Sequence, residues 1–142
     1  MKQTLISSAV AVLMAASGFA QAADPAPVKI GFITDMSGLY ADIDGDGGLE
    51  AIKMAIADFG GTVLGRKIEV ISADHQNKAD IAASKAREWV DRDGVTVLFG
   101  GTNSGTALAT AKVASEKKRI YINNGAGSSA LTNEQCSPYT VH

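Results

Sequence analysis

Residues 95–109, VTVLFGGTNSGTALA, read as a short buried strand (Val95, Val97, Leu98, Phe99), a Gly100-Gly101 turn, and a helix opened by Thr102-Asn103-Ser104-Gly105. Paired glycines let the backbone leave a strand end sharply. Thr, Asn and Ser carry the side-chain oxygens that satisfy the first free N–H groups of a helix. Strand, glycine turn and capped helix in that order leave N–H donors and hydroxyls facing open space, where a carboxylate or another anion is favoured. The stretch predicts a strand-to-helix unit with a binding site at its turn.

The same alternation extends outward in both directions. Upstream, Val28-Lys29-Ile30-Gly31-Phe32-Ile33 reads as a strand of a covered parallel sheet. A long polar loop, Thr34–Gly48, leads to a helix with Leu49, Ile52, Ile56 and Phe59 at helical spacing, ended by Gly60-Gly61. Ile68, Val70 and Ile71 form a second strand, closed by Asp74-His75-Gln76-Asn77. Ile81, Ala82, Ala86, Trp89 and Val90 mark a second amphipathic helix, stopped at Asp91-Arg92-Asp93-Gly94. Downstream of the opening stretch, Ala107, Leu108, Ala111 and Ala114 share one helix face, and Lys117, Lys118 and Arg119 complement that helix's C-terminus. Ile120-Tyr121-Ile122 is a fourth strand, Asn123–Ser129 a loop, Ala130–Cys136 a helical turn, and Tyr139-Thr140-Val141-His142 begins a fifth strand. This order predicts an α/β fold with a doubly wound parallel sheet. Phe59 and Trp89, each on the apolar face of its helix, are assigned to the core.

The 142 residues carry a net charge of −2, with 46% hydrophobic and 20% charged residues, ordinary for one small globular domain. Nothing in that balance suggests the basic face of a nucleic-acid binder. Met1-Lys2, the apolar run Leu5–Ala16 and the small residues of Ala20-Gln21-Ala22 form a secretory signal, so residues 1–22 are expected to be removed and the mature chain to start at Ala23. The apolar run is too short for a membrane anchor. The expected location is the periplasm. The single cysteine, Cys136, is either free and buried or has its partner outside this sequence. Because the final strand stops without turn or cap, residues 23–142 are expected to be a piece of a longer chain.

In open α/β sheets ligands bind beyond the carboxyl ends of the strands. Three such ends carry loops rich in Gly, Ser, Thr and Asn: Asp35–Gly48, Gly100–Gly105 and Asn123–Ser129. Neutral loops of this kind hydrogen-bond a small polar solute, and Tyr40 in the first could cover an apolar part of it.

Several blocks, in order, resemble the branched-chain amino acid type of ABC-transporter substrate-binding proteins, the type I periplasmic binding fold. They are VKIGFITDMSG (28–38), GLEAIKMA (48–55), LGRKIE (64–69), FGGTNSG (99–105) and INNGAGSSALT (122–132). The resemblance covers essentially the whole mature chain. It implies the first lobe of a two-lobed carrier, with Rossmann-like, flavodoxin-like strand order and the second lobe absent. Such a carrier is a monomer when full length, closes on a small solute and delivers it to a membrane permease. In members that bind amino acids, the turn matching Asn103-Ser104-Gly105 and the loop matching Ala126-Gly127-Ser128 hold the ligand's carboxylate and amino group. Carried over, Ser104 and the Gly105 backbone hold a carboxylate, and Gly125, Ala126, Gly127 and Ser128 line the neighbouring pocket. Leucine-type binders place a threonine where this chain has Gly127 followed by Ser128, and some carry a cysteine where it has Asn103. Both departures extend the implied ligands to aromatic and other organic acids. A sensor or receptor domain of the same fold is the alternative role.

Other readings are weaker in their chemistry. Asp42-Ile43-Asp44-Gly45-Asp46-Gly47 matches the start of a calcium loop, but Lys53 stands where a bidentate Glu is needed. Asp42, Asp44 and Asp46 therefore read as a solvated acidic loop ahead of the first helix, and no metal or cofactor is expected. Gly45-Asp46-Gly47-Gly48-Leu49-Glu50 departs from GxGxxG at its last position, and its aspartates would repel a pyrophosphate. Gly101-Thr102-Asn103-Ser104-Gly105 misses the nucleophile elbow by one position. His75, one of two histidines, reads as a turn residue rather than a base, and no enzymatic activity is expected.

Overall fold

A computed structural model describes residues 25–142. The signal segment and the cleavage point at Ala23 lie outside the described residues. The strands are β1 (Val28–Thr34), β2 (Thr62–Val63), β3 (Arg66–Asp74), β4 (Val95–Gly100), β5 (Ile120–Asn123) and β6 (Thr140–Val141). The helices are α1 (Ala41–Asp44), α2 (Asp46–Asp58), α3 (Ala79–Glu88) and α4 (Ser104–Lys117).

The sheet order is β2-β3-β1-β4-β5-β6. Every pairing is parallel except β2 with β3, a short antiparallel hairpin that sequence reading did not resolve. Its tip, Leu64-Gly65, has φ of +51° and +72°, the paired left-handed geometry of a tight hairpin turn. Leaving β2 aside, the strands run second, first, third, fourth, fifth, the flavodoxin-like order. The order in which the chain adds strands reverses at β1, so the carboxyl ends of the parallel neighbours β1 and β4 frame a crevice.

Period-two alternation sends successive side chains to opposite faces. Ile33, Leu98 and Tyr121 are buried against Ala86 and Trp89 of the α3 segment and Ala107, Ala111 and Ala114 of α4. Small residues on both helices let them lie close to the sheet. Gly31 is part of that fit, since a Cβ there would fall 2.6 Å from the Trp89 ring. On the other face α2 covers the sheet, and none of its residues is buried. Ile30, Val97, Phe99 and Ile122 form an apolar groove with Ile52 and Ile56. Phe59 corrects the core assignment made from its helical spacing. It caps the C-terminus of α2 and is 67% exposed, because the groove beside it has no second wall among the described residues. Trp89, 5% exposed, is a core residue as expected. Among the described residues no helix is long and apolar enough to cross a membrane.

The first loop is more ordered than a polar linker. Four of its residues form α1, and Asp46 already opens α2. This corrects the solvated-loop reading at Asp44, which is buried. Asp44 turns inward and accepts the Thr34 hydroxyl at 2.6 Å, while Asp42 and Asp46 are exposed on separate helices. Among the described residues no set of three or more His, Cys, Asp or Glu side chains is placed to hold a metal. Cys136 is exposed and unpaired among the described residues, not buried.

Candidate functional site

The site begins where β4 ends. Gly100 and Gly101 have φ of +121° and +107°, a region that β-carbons disfavour. A Cβ on Gly100 would sit 2.3 Å from the Ile33 carbonyl oxygen, and one on Gly101 only 2.1 Å from the Tyr121 hydroxyl. Only this double-glycine turn lets the chain pass so close to β1 and β5. Asn103 then caps α4, its side-chain oxygen accepting the Thr106 N–H at 3.0 Å and its carbonyl accepting the Ala107 N–H at 2.9 Å. The Ser104 and Gly105 amides and the Ser104 hydroxyl have no partner among the described residues. They form a donor cluster at the N-terminus of a fourteen-residue helix.

The third loop is fastened to the second by buried side chains of β5. Asn123 donates from Nδ2 to the Gly101 carbonyl at 2.8 Å, and the same nitrogen lies 3.2 Å from the Gly100 carbonyl and 3.0 Å from the Tyr121 oxygen. Its Oδ1 accepts the Ala126 N–H at 3.0 Å. Tyr121 donates to the Gly100 carbonyl at 2.9 Å. Burial pushes the Tyr121 phenol well above its ordinary pKa, so it stays protonated as a donor. Gly125 packs over Thr102, whose Cα lies 3.5 Å from where a Cβ would be. The structure thus brings Gly125 beside Thr102, the residue before the Asn103 cap, and ties Ala126 to Gly101 through Asn123. Gly127 is exposed, and Ser128 is half-buried with its hydroxyl accepting the Ala130 N–H at 3.3 Å.

Sequence reading passed over Asn123 and Tyr121. The signal lay in their spacing: two residues apart on a strand they share a face, and that face meets a Gly-Gly turn on the neighbouring strand.

Tyr40 lies on the first loop, and no hydrogen bond joins that loop to the other two among the described residues. Asp35 shapes it, its buried carboxylate accepting the Gly38 and Tyr40 amides at 2.9 and 3.0 Å. Asp74 ties it to the end of β3 by accepting the Met36 N–H at 3.0 Å and the Ser37 hydroxyl at 2.5 Å. Slight burial raises the Asp74 pKa, but bonds from Ser37, Met36 and Gln76 outweigh this and hold it below the ordinary carboxylate value. His75 is buried and is a turn residue, as expected: Nδ1 accepts the Asn77 N–H at 3.0 Å. Burial pushes its pKa down, against the pull of Asp35, Asp74 and Asp44.

This arrangement offers neutral donors, a helix N-terminus and an aromatic ring at one sheet edge. It suits holding a small anion. A protein-family model described as "Periplasmic binding protein" matches residues 27–142. A search of curated proteins returns no match. Among solved structures, a periplasmic binding protein from Burkholderia mallei is 76% identical, with a TM-score of 0.80 over 82% of this chain and 31% of its own. A branched-chain amino acid ABC transporter periplasmic ligand-binding protein from Burkholderia xenovorans is 43% identical, with a TM-score of 0.78 over 81% and 31%. A solute-binding protein of an ABC transporter from Rhodopseudomonas palustris, in complex with 3,4-dihydroxybenzoic acid, is 38% identical, with a TM-score of 0.74 over 81% and 31%. The chain therefore spans about a third of the length of these proteins.

Proposed function

Because the chain belongs to the periplasmic binding protein family, we propose that it forms most of the first lobe of the solute-binding component of an ABC uptake transporter. On this reading residues 1–22 direct export and are removed, and residues 23–142 act in the periplasm. The solute is a small carboxylate, passed to a membrane permease after closure against a second lobe. The observation that supports this reading is the unpartnered donor cluster of Ser104 and Gly105, which follows a glycine turn that Asn123 ties to Ala126. Tyr40 covers the apolar part of the solute.

An aromatic or other organic acid is the favoured class. The site presents donors, and a 38% identical relative was solved with 3,4-dihydroxybenzoic acid. Calorimetric titration of the full-length protein with 3,4-dihydroxybenzoate and with leucine tests the reading. Ser104→Ala should weaken binding of the preferred carboxylate about tenfold or more, the scale of one hydrogen bond to a charged group, with little change in unfolding. Equal affinity in the variant would remove Ser104 from the site.

A further inference from the structure

Asn124-Gly125 is the one Asn-Gly pair in this sequence, and it lies in the third loop between the Asn123 brace and Ala126. An asparagine followed by glycine loses its side-chain amide without a catalyst. The backbone nitrogen of the next residue attacks the side-chain carbonyl carbon and closes a five-membered imide. Glycine favours that ring, because no Cβ crowds the nitrogen and the backbone turns freely.

The structure sets Asn124 apart from the other four asparagines. Asn123 is buried, its carboxamide shared between the Gly101 carbonyl and the Ala126 N–H. Asn103 is held as the cap of α4 by the Thr106 N–H, and Asn133 donates from Nδ2 to the Ser129 carbonyl at 2.8 Å. Asn77 has its Oδ1 buried and precedes Lys78 rather than a glycine. Asn124 and Gly125 are both exposed among the described residues, and β5 ends at Asn123, so the pair lies just past the sheet ladder. The Asn124 side chain and the Gly125 N–H have no hydrogen-bond partner among the described residues.

We propose that Asn124 is a modification site, where spontaneous deamidation places a carboxylate on the loop that the carrier reading above assigns to the solute. As the bond from Gly125 N to Asn124 Cγ forms, the amide nitrogen takes up the Gly125 N–H proton and leaves as ammonia. Water then opens the imide at either carbonyl, giving aspartate, or isoaspartate with the main chain rerouted through the side chain. Nothing is oxidised or reduced. A neutral amide becomes an anion, and the isoaspartate form also lengthens the loop backbone by one carbon. The new charge, which rests on the carrier reading for its effect, opposes a carboxylate held nearby.

The test incubates the full-length protein at mildly alkaline pH and follows the peptide carrying position 124 by mass spectrometry. That peptide should gain the mass difference between an amide and an acid, in two chromatographically separable forms. At Gly125 a Cβ would make ordinary contact, 3.5 Å from Thr102 Cα, so Gly125→Ala should fold and slow the gain about tenfold or more. Asn124→Gln should abolish it, since the longer side chain would need a six-membered ring. Calorimetry with 3,4-dihydroxybenzoate should show an affinity loss of about threefold or more in aged wild type, the scale of a like charge nearby at a protein surface. Aged Asn124→Gln should keep the affinity it has when fresh. No mass gain at position 124, or an equal rate in Gly125→Ala, would overturn the modification site. A mass gain with unchanged affinity would overturn its effect on the solute. Fresh wild type that binds no benzoate would remove the aromatic-acid reading and that effect with it, while the mass gain would still establish the modification.

Discussion

Asn123 Nδ2 lies 2.8 Å from the Gly101 carbonyl oxygen, a side chain of one strand closing the turn at the end of the next. The same carboxamide holds the Ala126 N–H, so one buried residue fixes the spacing of two loops.

Asn123→Ala leaves buried carbonyl and amide groups without partners. The expected cost is about 2–3 kcal/mol of unfolding free energy in the full-length protein, together with weaker carboxylate binding. Urea unfolding followed by far-UV circular dichroism measures the first. A loss below about 0.5 kcal/mol, the level of an ordinary surface substitution, would show that the brace is dispensable.

Two glycine-to-alanine changes should have opposite signs. At Gly101 a methyl group meets Tyr121 and Asn123 at 2.1 and 2.4 Å on a positive-φ backbone, so Gly101→Ala should cost about 3 kcal/mol or more. At Gly47, in the first turn of α2, a Cβ meets nothing within 4 Å. Gly47→Ala should stabilise by about 0.5 kcal/mol through backbone entropy and helix propensity. Thermal unfolding of both variants beside wild type decides the pair.

Acid should weaken the fold through His75. The folded protein holds this imidazole below its unfolded value, so below about pH 6.5 the unfolded state binds more protons. The stabilisation is complete above that value and declines as pH falls through it. Protonation also removes the Nδ1 acceptor of the Asn77 N–H, in a turn where Gln76 and Asn77 have φ of +51° and +56°. His75→Asn, whose side-chain oxygen can take the place of Nδ1, should flatten the dependence of the urea midpoint between pH 7.5 and 5. Identical slopes in variant and wild type would assign the acid sensitivity elsewhere.

Calcium should be without effect. Asp44 is buried and bonded to Thr34, whereas Asp42 and Asp46 are exposed. Millimolar calcium or a chelator should therefore leave the unfolding midpoint of the full-length protein unchanged, and a calcium-dependent rise would reopen the acidic loop as a site.

Sequence reading recovered the parts of the fold that rest on periodicity. Alternating apolar strands and the Ala107–Ala114 helix face each had one consistent period, and the Asn103 cap lay directly after a Gly-Gly break. It missed features decided by tertiary contact. The helix Ala41–Asp44 is a single acidic turn, too short to show a period, and is held by the Thr34–Asp44 bond. The hairpin at Thr62–Val63 contributes two residues and no pattern of its own. Phe59 kept helical spacing yet lies beyond the covered part of the sheet. Within the candidate site, loop composition pointed to the stretches 100–105 and 123–129, and the resemblance to the family singled out Ser104 and Gly125 in them. The role of Asn123 could not be read, because a polar residue at a strand end reads as the start of a loop until its partners on the adjacent strand are known.

The buried glycine turn and its Tyr121–Asn123 brace also separate two tasks that many binding sites combine. Loop position is set by residues with almost no access to solvent, whereas the groups proposed to face a solute, Ser104, Ser128 and Tyr40, are partly exposed and take little part in the brace. Exchanging those groups should alter which solute is held without disturbing how the loops are held. New ligand chemistry can then arise by single substitutions, without a compensating change in the core.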